Sequence, residues 1–349
     1  MRKLIIIIFT VLIIVILAMF LIQNVLFSNK SDISWVNTNI KIWYIDKDYH
    51  LCRIDTNGQN RLCTKQKIKD RFVFSPDGKF IAFVSWSKNE NHSSLYIINT
   101  EDFSQKGLVL NSGDIADTIE WSPDSNYLAY ALQDTDTNND GKIDYLDERS
   151  FYLVSPQNNE NILLGRGIVD NFEPFYWFKD GEHLYFERTK IYSENDLREQ
   201  YIKINIKNKK QEQIAEIDWD KDPRILDYYI DNNLLHFNQE NGNFVNRVSD
   251  TSSDGRVVYY ERGSIFVDGK LLVKFEDFYK GVYDQKFNSG FSIPQWLPDN
   301  KYIIFEGACS PFNIFLGFGR CIFIADSATG RFGKLTEGRN VGVYRGDRR

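Results

Sequence analysis

Hydrophobic and polar positions alternate in four segments that align without gaps, and each segment predicts a tight turn followed by a β-strand. In each, an aromatic residue precedes an aspartate by three positions, and apolar residues then recur at every second position. Alternation with a period of two is typical of a half-buried strand, and Asp, Gly and Asn are typical of the turn before it. The segments are Phe74–Phe83, Trp121–Tyr130, Trp177–Phe186 and Trp296–Phe305.

A second apolar pattern follows each of these segments and predicts a further strand. A period near 50 residues with about four strands per unit indicates an all-β fold, a β-propeller built from four-stranded blades. The further strands are Leu95–Asn99, Phe151–Ser155, Tyr201–Asn205 and Ile322–Asp326, and Leu51–Asp55 belongs with them after a preceding strand at Ile42–Ile45.

The number of blades follows from the spacing of the repeats. The aromatic positions 177 and 296 are 119 residues apart, so at least one degenerate blade lies between them. Tyr228–Phe237 and Thr251–Tyr260 both resemble the repeat, but the 23 residues between their first positions are too few for a four-stranded blade. We therefore predict six blades, with seven as the alternative. The first blade lacks its own innermost strand, and Asn340–Tyr344 is the candidate to supply it and close the ring.

The Ser-Pro-Asp-Gly strand repeats resemble the WD-like propeller repeats of TolB-like proteins. They are also similar to the propeller domain of dipeptidyl-peptidase-type proteins. The resemblance covers roughly residues 35–340 and implies the fold. In the peptidases the propeller gates an α/β-hydrolase domain, which needs a Gly-x-Ser-x-Gly nucleophile elbow. This sequence contains no such elbow.

The N-terminus predicts a membrane anchor. Leu4–Ile22 is apolar apart from Thr10, which is long enough for a helix that spans a bilayer. Arg2 and Lys3 precede it, so we expect a cytoplasmic N-terminus and an exported remainder. A cleaved signal peptide is the alternative, although no Ala-x-Ala pattern follows the apolar run. The predicted organisation is an anchor at 1–27, a linker at 28–34 and a propeller at 35–349, in a single-pass membrane protein with an extracytoplasmic propeller.

Composition and cysteine content agree with export. The net charge of −6 makes a nucleic-acid partner unexpected. Four cysteines fit an oxidising compartment. Cys52 and Cys63 flank the hairpin signal Asn57-Gly58 and would face each other directly across a two-residue turn, within reach of a disulfide. Cys309 and Cys321 bracket a Gly-containing loop and form the natural second pair. Four buried thiols are the alternative.

Residues 134–148 carry the most chemically specific pattern. Counted from Asp136, side-chain oxygens fall at positions 1, 3, 5, 9 and 12 of a twelve-residue loop, with Gly141 at position 6. This is the ligand spacing of a calcium loop. Calcium is therefore the predicted cofactor, and a solvated acidic hairpin is the alternative. The predicted ligands are Asp136, Asn138, Asp140, the backbone carbonyl of Lys142, Asp144 and Asp147.

Two features separate this loop from an EF-hand. Asp147 stands where such loops carry Glu, so we expect it to bind through one oxygen, or Glu148 to replace it. The flanking segments Tyr127–Leu132 and Phe151–Val154 are predicted strands, not helices. The loop is therefore expected to be structural and not a helix-opening sensor.

The predicted function depends on the positions of the long loops that connect the strands. The calcium loop, Thr189–Gln200 and Ala308–Arg320 each join a predicted second strand to a third, so all three should lie on one face. Long loops on a rigid scaffold commonly carry binding. We predict a non-catalytic scaffold that binds a protein or a cell-envelope polymer through this face. The alternative is a propeller enzyme of the lyase or lactonase type, with carboxylates at the mouth of the central channel.

Overall fold

The computed structural model describes residues 32–86, 92–143, 147–167, 175–178, 180–193, 196–214, 249–261, 264–274, 294–308 and 320–344. Within these ranges the chain is all-β, with 23 strands and no helix, as the period-two alternation predicted. The predicted anchor at residues 4–22 lies outside the described residues. Among those that are described, no helix has the length and apolarity to cross a membrane.

The described strands form antiparallel four-stranded units, which we call blades and number in the order in which they occur among the described residues. Blades 1 and 2 share the long strand β3, whose first part pairs with β2 and whose second part pairs with β4. The strands of blades 1 to 3 are β1 (Lys41–Ile45), β2 (His50–Asp55), β3 (Leu62–Phe74), β4 (Phe80–Trp86), β5 (Ser93–Asn99), β6 (Gln105–Ser112), β7 (Asp114–Trp121), β8 (Leu128–Gln133), β9 (Arg149–Val154) and β10 (Asn161–Gly167).

The second half of the chain repeats this arrangement. Its strands are β11 (Phe175–Trp177), β12 (His183–Ser193), β13 (Asp196–Asn205) and β14 (Gln211–Ile214) in blade 4; β15 (Ser249–Thr251), β16 (Val257–Glu261), β17 (Ser264–Val267) and β18 (Lys270–Lys274) in blade 5; and β19 (Gln295–Trp296), β20 (Tyr302–Ala308), β21 (Arg320–Asp326) and β22 (Phe332–Glu337) in blade 6. Of the two degenerate repeats, Thr251–Tyr260 spans the β15–β16 turn, and Tyr228–Phe237 lies outside the described residues.

The apolar core lies between successive blades. Each cluster joins side chains from two neighbouring units: Trp43 with Phe83, Val84 with Leu128, and Phe151 with Phe186. A fourth cluster joins blade 5 to blade 6, and a fifth packs Ile304 of blade 6 against Ile42 of blade 1. Because the last blade packs on the first, the blades curve into a ring, which is the arrangement of a β-propeller.

A C-terminal strand closes this ring. β23 (Arg339–Gly342) pairs antiparallel with β1 as the innermost strand of blade 1, with Trp43 opposite Gly342. This confirms the prediction that the C-terminal segment supplies the missing strand. The Glu306 carboxylate of blade 6 is buried and accepts the Val341 N–H at 2.9 Å, so a hydrogen bond also crosses the closure.

The antiparallel order gives the propeller two distinct faces. We call the end that carries the connections between second and third strands the loop face; β1–β2, β4–β5, β8–β9, β12–β13, β16–β17 and β20–β21 meet there. The opposite end is the turn face, where first strands turn into second strands and third strands turn into fourth strands. Each strand reverses direction, so the two kinds of connection cannot share an end.

The repeated serine and aspartate close the turns of the turn face. The Ser75 hydroxyl accepts the Phe80 N–H at 2.9 Å and donates to the Asp77 carboxylate at 2.7 Å. Ser122 makes the same pair of bonds with Tyr127 and Asp124. Partial burial raises the pKa of Asp77, but hydrogen bonds from Ser75 and Lys79 outweigh it and hold the pKa below its usual value. The spacing that recurs in these repeats thus reflects the hydrogen bonds of the turn.

Candidate functional site

The predicted calcium loop connects β8 to β9 on the loop face. Strands flank it on both sides, as predicted, and β8 pairs with β9 directly below it, with Leu132 opposite Ser150. Of the predicted ligands, Asp144 lies outside the described residues. The structure describes the positions of the other five.

The first half of the loop leaves one carboxylate oxygen without a donor. Gly141 has a φ of +85°, and its N–H donates to Asp136 Oδ2 at 2.9 Å. Open space surrounds the position where a Cβ of Gly141 would lie. The other oxygen of this carboxylate, Oδ1, is buried and has no hydrogen-bond partner among the residues that the structure describes. A buried carboxylate oxygen without a donor is rare in proteins, and such an oxygen is suited to bind a cation.

Backbone donors position the next two predicted ligands. Asn138 Oδ1 accepts the Asp140 N–H at 2.9 Å, and Asp140 Oδ1 accepts the Lys142 N–H at 2.9 Å. Asn138, Asp140 and Lys142 are all exposed. Each of these two side-chain oxygens is therefore held by the backbone N–H two residues further along the loop.

Asp147 ties the end of the loop to its beginning. It is 1% exposed, and its Oδ1 accepts the backbone N–H groups of Thr137 at 2.7 Å and Asn138 at 3.2 Å. The Thr137 hydroxyl also donates to it at 3.0 Å and in turn accepts the Glu148 N–H. Asp147 thus has a structural role that the ligand pattern did not reveal.

No three acidic side chains that the structure describes in this loop have their oxygens within 4.8 Å of one another. Among the described residues, one group of three His, Cys, Asp or Glu side chains has its ligand atoms within 4.8 Å of one another, and it is Asp46 with Cys52 and Cys63. Its two sulfur atoms are joined in a disulfide, so they are not thiolate ligands. The donor types of the calcium loop fit calcium, whereas this second group does not fit a metal.

The disulfide joins the pair that the hairpin pattern predicted. Cys52 and Cys63 lie opposite each other in the β2–β3 ladder, with Cα atoms 4.0 Å apart. Asp46 and Arg61 form an ion pair at 2.8 Å next to this bridge, and Arg61 also donates to the Tyr44 hydroxyl. Cys321 is disulfide-bonded as well. Its predicted partner, Cys309, lies outside the described residues.

Three exposed apolar side chains mark the loop face of blades 1 to 3. Tyr49 lies in the β1–β2 connection, Trp86 ends β4, and Ile143 lies in the calcium loop; they are 46%, 48% and 53% exposed. The Lys69 ammonium lies 4.7 Å from the centre of the Trp86 ring and 2.8 Å from the Asp114 carboxylate. Sequence reasoning missed these residues, although Trp86 falls outside the aromatic position of the repeat and Ile143 is apolar in an otherwise polar loop.

One of the predicted long loops is instead a β-ribbon. We expected Thr189–Gln200 to be a loop, but β12 and β13 continue through it, and Ser193 pairs with Asp196 at the tip. β11 pairs only as far as Phe186 and β14 as far as Tyr201, so within the described residues the ribbon beyond them pairs with itself. The polar composition suggested a loop, but a two-stranded ladder satisfies its own backbone groups and tolerates polar side chains.

The third long connection lies at the same end of its blade. Ala308 pairs with Arg320 at the ends of β20 and β21, which are the second and third strands of blade 6. The residues between them, 309–319, lie outside the described residues. All three connections thus start from the loop face, as predicted.

Comparisons with known proteins reveal similarity of fold only. No family model matches the sequence, and no curated protein matches it. TolB from Acinetobacter baumannii is similar at 13% identity and a TM-score of 0.38, over 87% of this chain and 65% of that one. The chain therefore spans less than two thirds of that protein.

Two further solved structures are similar at the same level. The propeller domain of the Trilobed protease from Pyrococcus furiosus matches at 15% identity and a TM-score of 0.44, over 83% of this chain and 88% of that one. An oligogalacturonate lyase in complex with manganese matches at 10% identity and a TM-score of 0.38, over 76% and 70%. The packing between blades described above shows the propeller independently of these similarities.

Proposed function

We propose that this protein is a membrane-anchored, extracytoplasmic, six-bladed propeller that acts as a non-catalytic scaffold. It binds a protein or a cell-envelope polymer through the loop face, and one calcium ion stabilises that face. The observation that carries the proposal is the difference between the two faces. Short hydrogen-bonded turns close one end of the blades, whereas the other carries the acidic loop, the projecting ribbon and three exposed apolar side chains.

Calcium would be held by Asp136, Asn138, Asp140, Asp144, Asp147 and the carbonyl of Lys142. The unpartnered Asp136 Oδ1 supports this assignment, since a cation supplies the partner that the protein does not. The ion's role is electrostatic, because it neutralises carboxylates that otherwise repel one another across the loop.

Thermal unfolding tests the calcium site. A ligand at a hundredfold excess over its Kd stabilises the folded state by about 2.7 kcal/mol. Calcium should therefore raise the melting temperature of the wild type, and Asp136→Ala should remove most of that shift. Asp134→Ala is the matched control, since Asp134 is an exposed carboxylate two residues before the ligand positions. An unchanged wild-type melting temperature with calcium and with chelator would show that the loop is not a calcium site.

Capture of partners by the exported domain tests the binding face. Trp86→Ala and Ile143→Ser should each reduce capture and leave the melting temperature nearly unchanged, because both side chains are exposed. Leu163→Ala is the control: Leu163 is 49% exposed but lies on the outermost strand β10, away from the loop face. Equal loss of capture in all three variants, or in none, would contradict a binding role for this face.

A further inference from the structure

The chain enters the propeller on the turn face. Asp32 pairs with Arg331 at 2.9 Å, and Arg331 ends the β21–β22 connection of that face. Asn37 Oδ1 accepts hydrogen bonds from the Tyr302 hydroxyl at 2.8 Å and from the Lys301 ammonium at 3.1 Å. Lys301 belongs to the β19–β20 turn, also on the turn face. The segment before β1 is therefore attached to blade 6 at the end opposite the calcium loop.

Contacts hold the segment before β1 at both of its ends, near Trp35 and near Ile40. Trp35 packs against Tyr302 with ring centres 5.8 Å apart, and the Arg331 guanidinium lies 5.2 Å from the Trp35 ring. Closer to β1, the Thr56 N–H donates to the Ile40 carbonyl at 3.0 Å. Thr56 follows β2 on the turn face as well. The entry point is thus part of the folded propeller.

The length of chain before Asp32 limits where the propeller can lie. Nine residues, 23–31, separate it from the end of the predicted membrane helix. Fully extended, nine residues reach about 30 Å. A six-residue strand is about 20 Å long, so a chain that ran past the blades to the loop face would use most of that reach. An arrangement with the turn face toward the bilayer requires no such detour.

We propose that the propeller lies with its turn face toward the membrane and its loop face directed away from it. The proposal deepens the proposed function and rests on its membrane anchor. It places the calcium loop, the β12–β13 ribbon and Trp86 where a partner in the extracytoplasmic space can reach them.

Quenching by labelled lipids tests the orientation. The full-length chain is inserted into vesicles whose headgroups carry a quencher, with a fluorophore at a single introduced cysteine. Asn208→Cys places the label on the turn face, and Lys47→Cys places it on the loop face; both positions are exposed. Quenching should be several-fold stronger from position 208. Insertion of a long Gly/Ser segment after Ser28 should abolish the difference, because a flexible tether no longer fixes which face is near.

The outcomes separate the two proposals. Failure of the full-length chain to float with the vesicles would overturn the anchor, and the orientation with it. Flotation with equal or reversed quenching would overturn the orientation and leave the anchor and the scaffold function standing.

Discussion

At the scale of single residues, the aspartate of the repeat stabilises the turn in which it lies through hydrogen bonds. Partial burial raises the pKa of Asp124, but hydrogen bonds from the Ser122 hydroxyl and from Asn126 outweigh it and hold the pKa below its usual value. Asp180 is shifted downward for the same reason, by bonds from Glu182 and His183 that outweigh its burial. A depressed pKa means that the ionised form favours the folded state.

As a consequence, the stability of the folded protein should decrease at low pH. A carboxylate with a lowered folded pKa stabilises the protein above its ordinary pKa near 4, and this contribution disappears as the pH falls through the folded value. We expect Asp124→Asn to be less stable than the wild type at pH 7, and the difference to disappear as the pH falls through the folded pKa of Asp124. Urea midpoints measured across this range provide the check. Glu101→Gln, which removes an exposed carboxylate between β5 and β6, is the control.

The Cys52–Cys63 disulfide also contributes to the stability of the fold. It closes a loop with a sequence separation of 11 residues. The chain-entropy estimate for such a loop is roughly 3 kcal/mol, so the double variant Cys52→Ser/Cys63→Ser should lose about that much stability. Thiol labelling of the exported protein under denaturing, non-reducing conditions should detect no reactive thiol. Four reactive thiols per chain would refute both predicted bridges.

At the scale of elements, β23 is the strand whose removal should reduce the stability of the fold the most for its length. Its four residues complete blade 1, bury Val341 and supply the N–H that the buried Glu306 carboxylate accepts. Its loss would expose an edge of β1 and leave Glu306 with one fewer donor, and an under-satisfied buried carboxylate is costly.

Two truncated chains distinguish the effect of losing the closing strand from the effect of losing a few C-terminal residues. A chain that ends at Glu337 should unfold at a markedly lower temperature than the full chain, or aggregate. A chain that ends at Tyr344 keeps β23 and loses only the last five residues, so its melting temperature should remain within a degree or two of the wild type. Similar behaviour of the two truncations would show that β23 does not hold the ring closed.

At the scale of the whole molecule, stability is distributed over interfaces between neighbouring blades. Trp121, Trp177 and Trp296 each end an innermost strand and are almost fully buried. The described apolar clusters each join neighbouring blades, so closure of the ring depends above all on the contact between blades 6 and 1.

The predicted membrane anchor determines where in the cell the whole propeller resides. The full-length chain should be found in membrane fractions, with the propeller accessible to protease only from the non-cytoplasmic side. A chain that begins at Ser28 should be soluble and should melt at the same temperature, since the described propeller begins after that residue. A soluble product beginning near Ser28 in cells that express the full gene would show instead that the apolar run is a cleaved signal.

The sequence by itself determined the strands, the turns and the pairing of neighbours. Period-two alternation in segments such as Trp121–Tyr130 encodes a strand locally, and the Asp124 turn encodes its reversal. Hairpin geometry then placed Cys52 opposite Cys63, because a turn fixes the register of the two strands that it joins. The closing strand was also predicted, since a blade with no innermost strand requires one from elsewhere.

Tertiary structure alone decided which polar groups have hydrogen-bond partners and which side chains are exposed. The extension of β12 and β13 past Thr189 was not predicted, because ladder pairing depends on two segments together and not on the polarity of either. Among the described residues no group donates to Asp136 Oδ1, whereas the N–H groups of Thr137 and Asn138 and the Thr137 hydroxyl donate to Asp147 Oδ1, although both residues were predicted as calcium ligands. Burial and hydrogen bonding are properties of the assembled ring, whereas the sequence pattern specifies only the local geometry of each strand and turn.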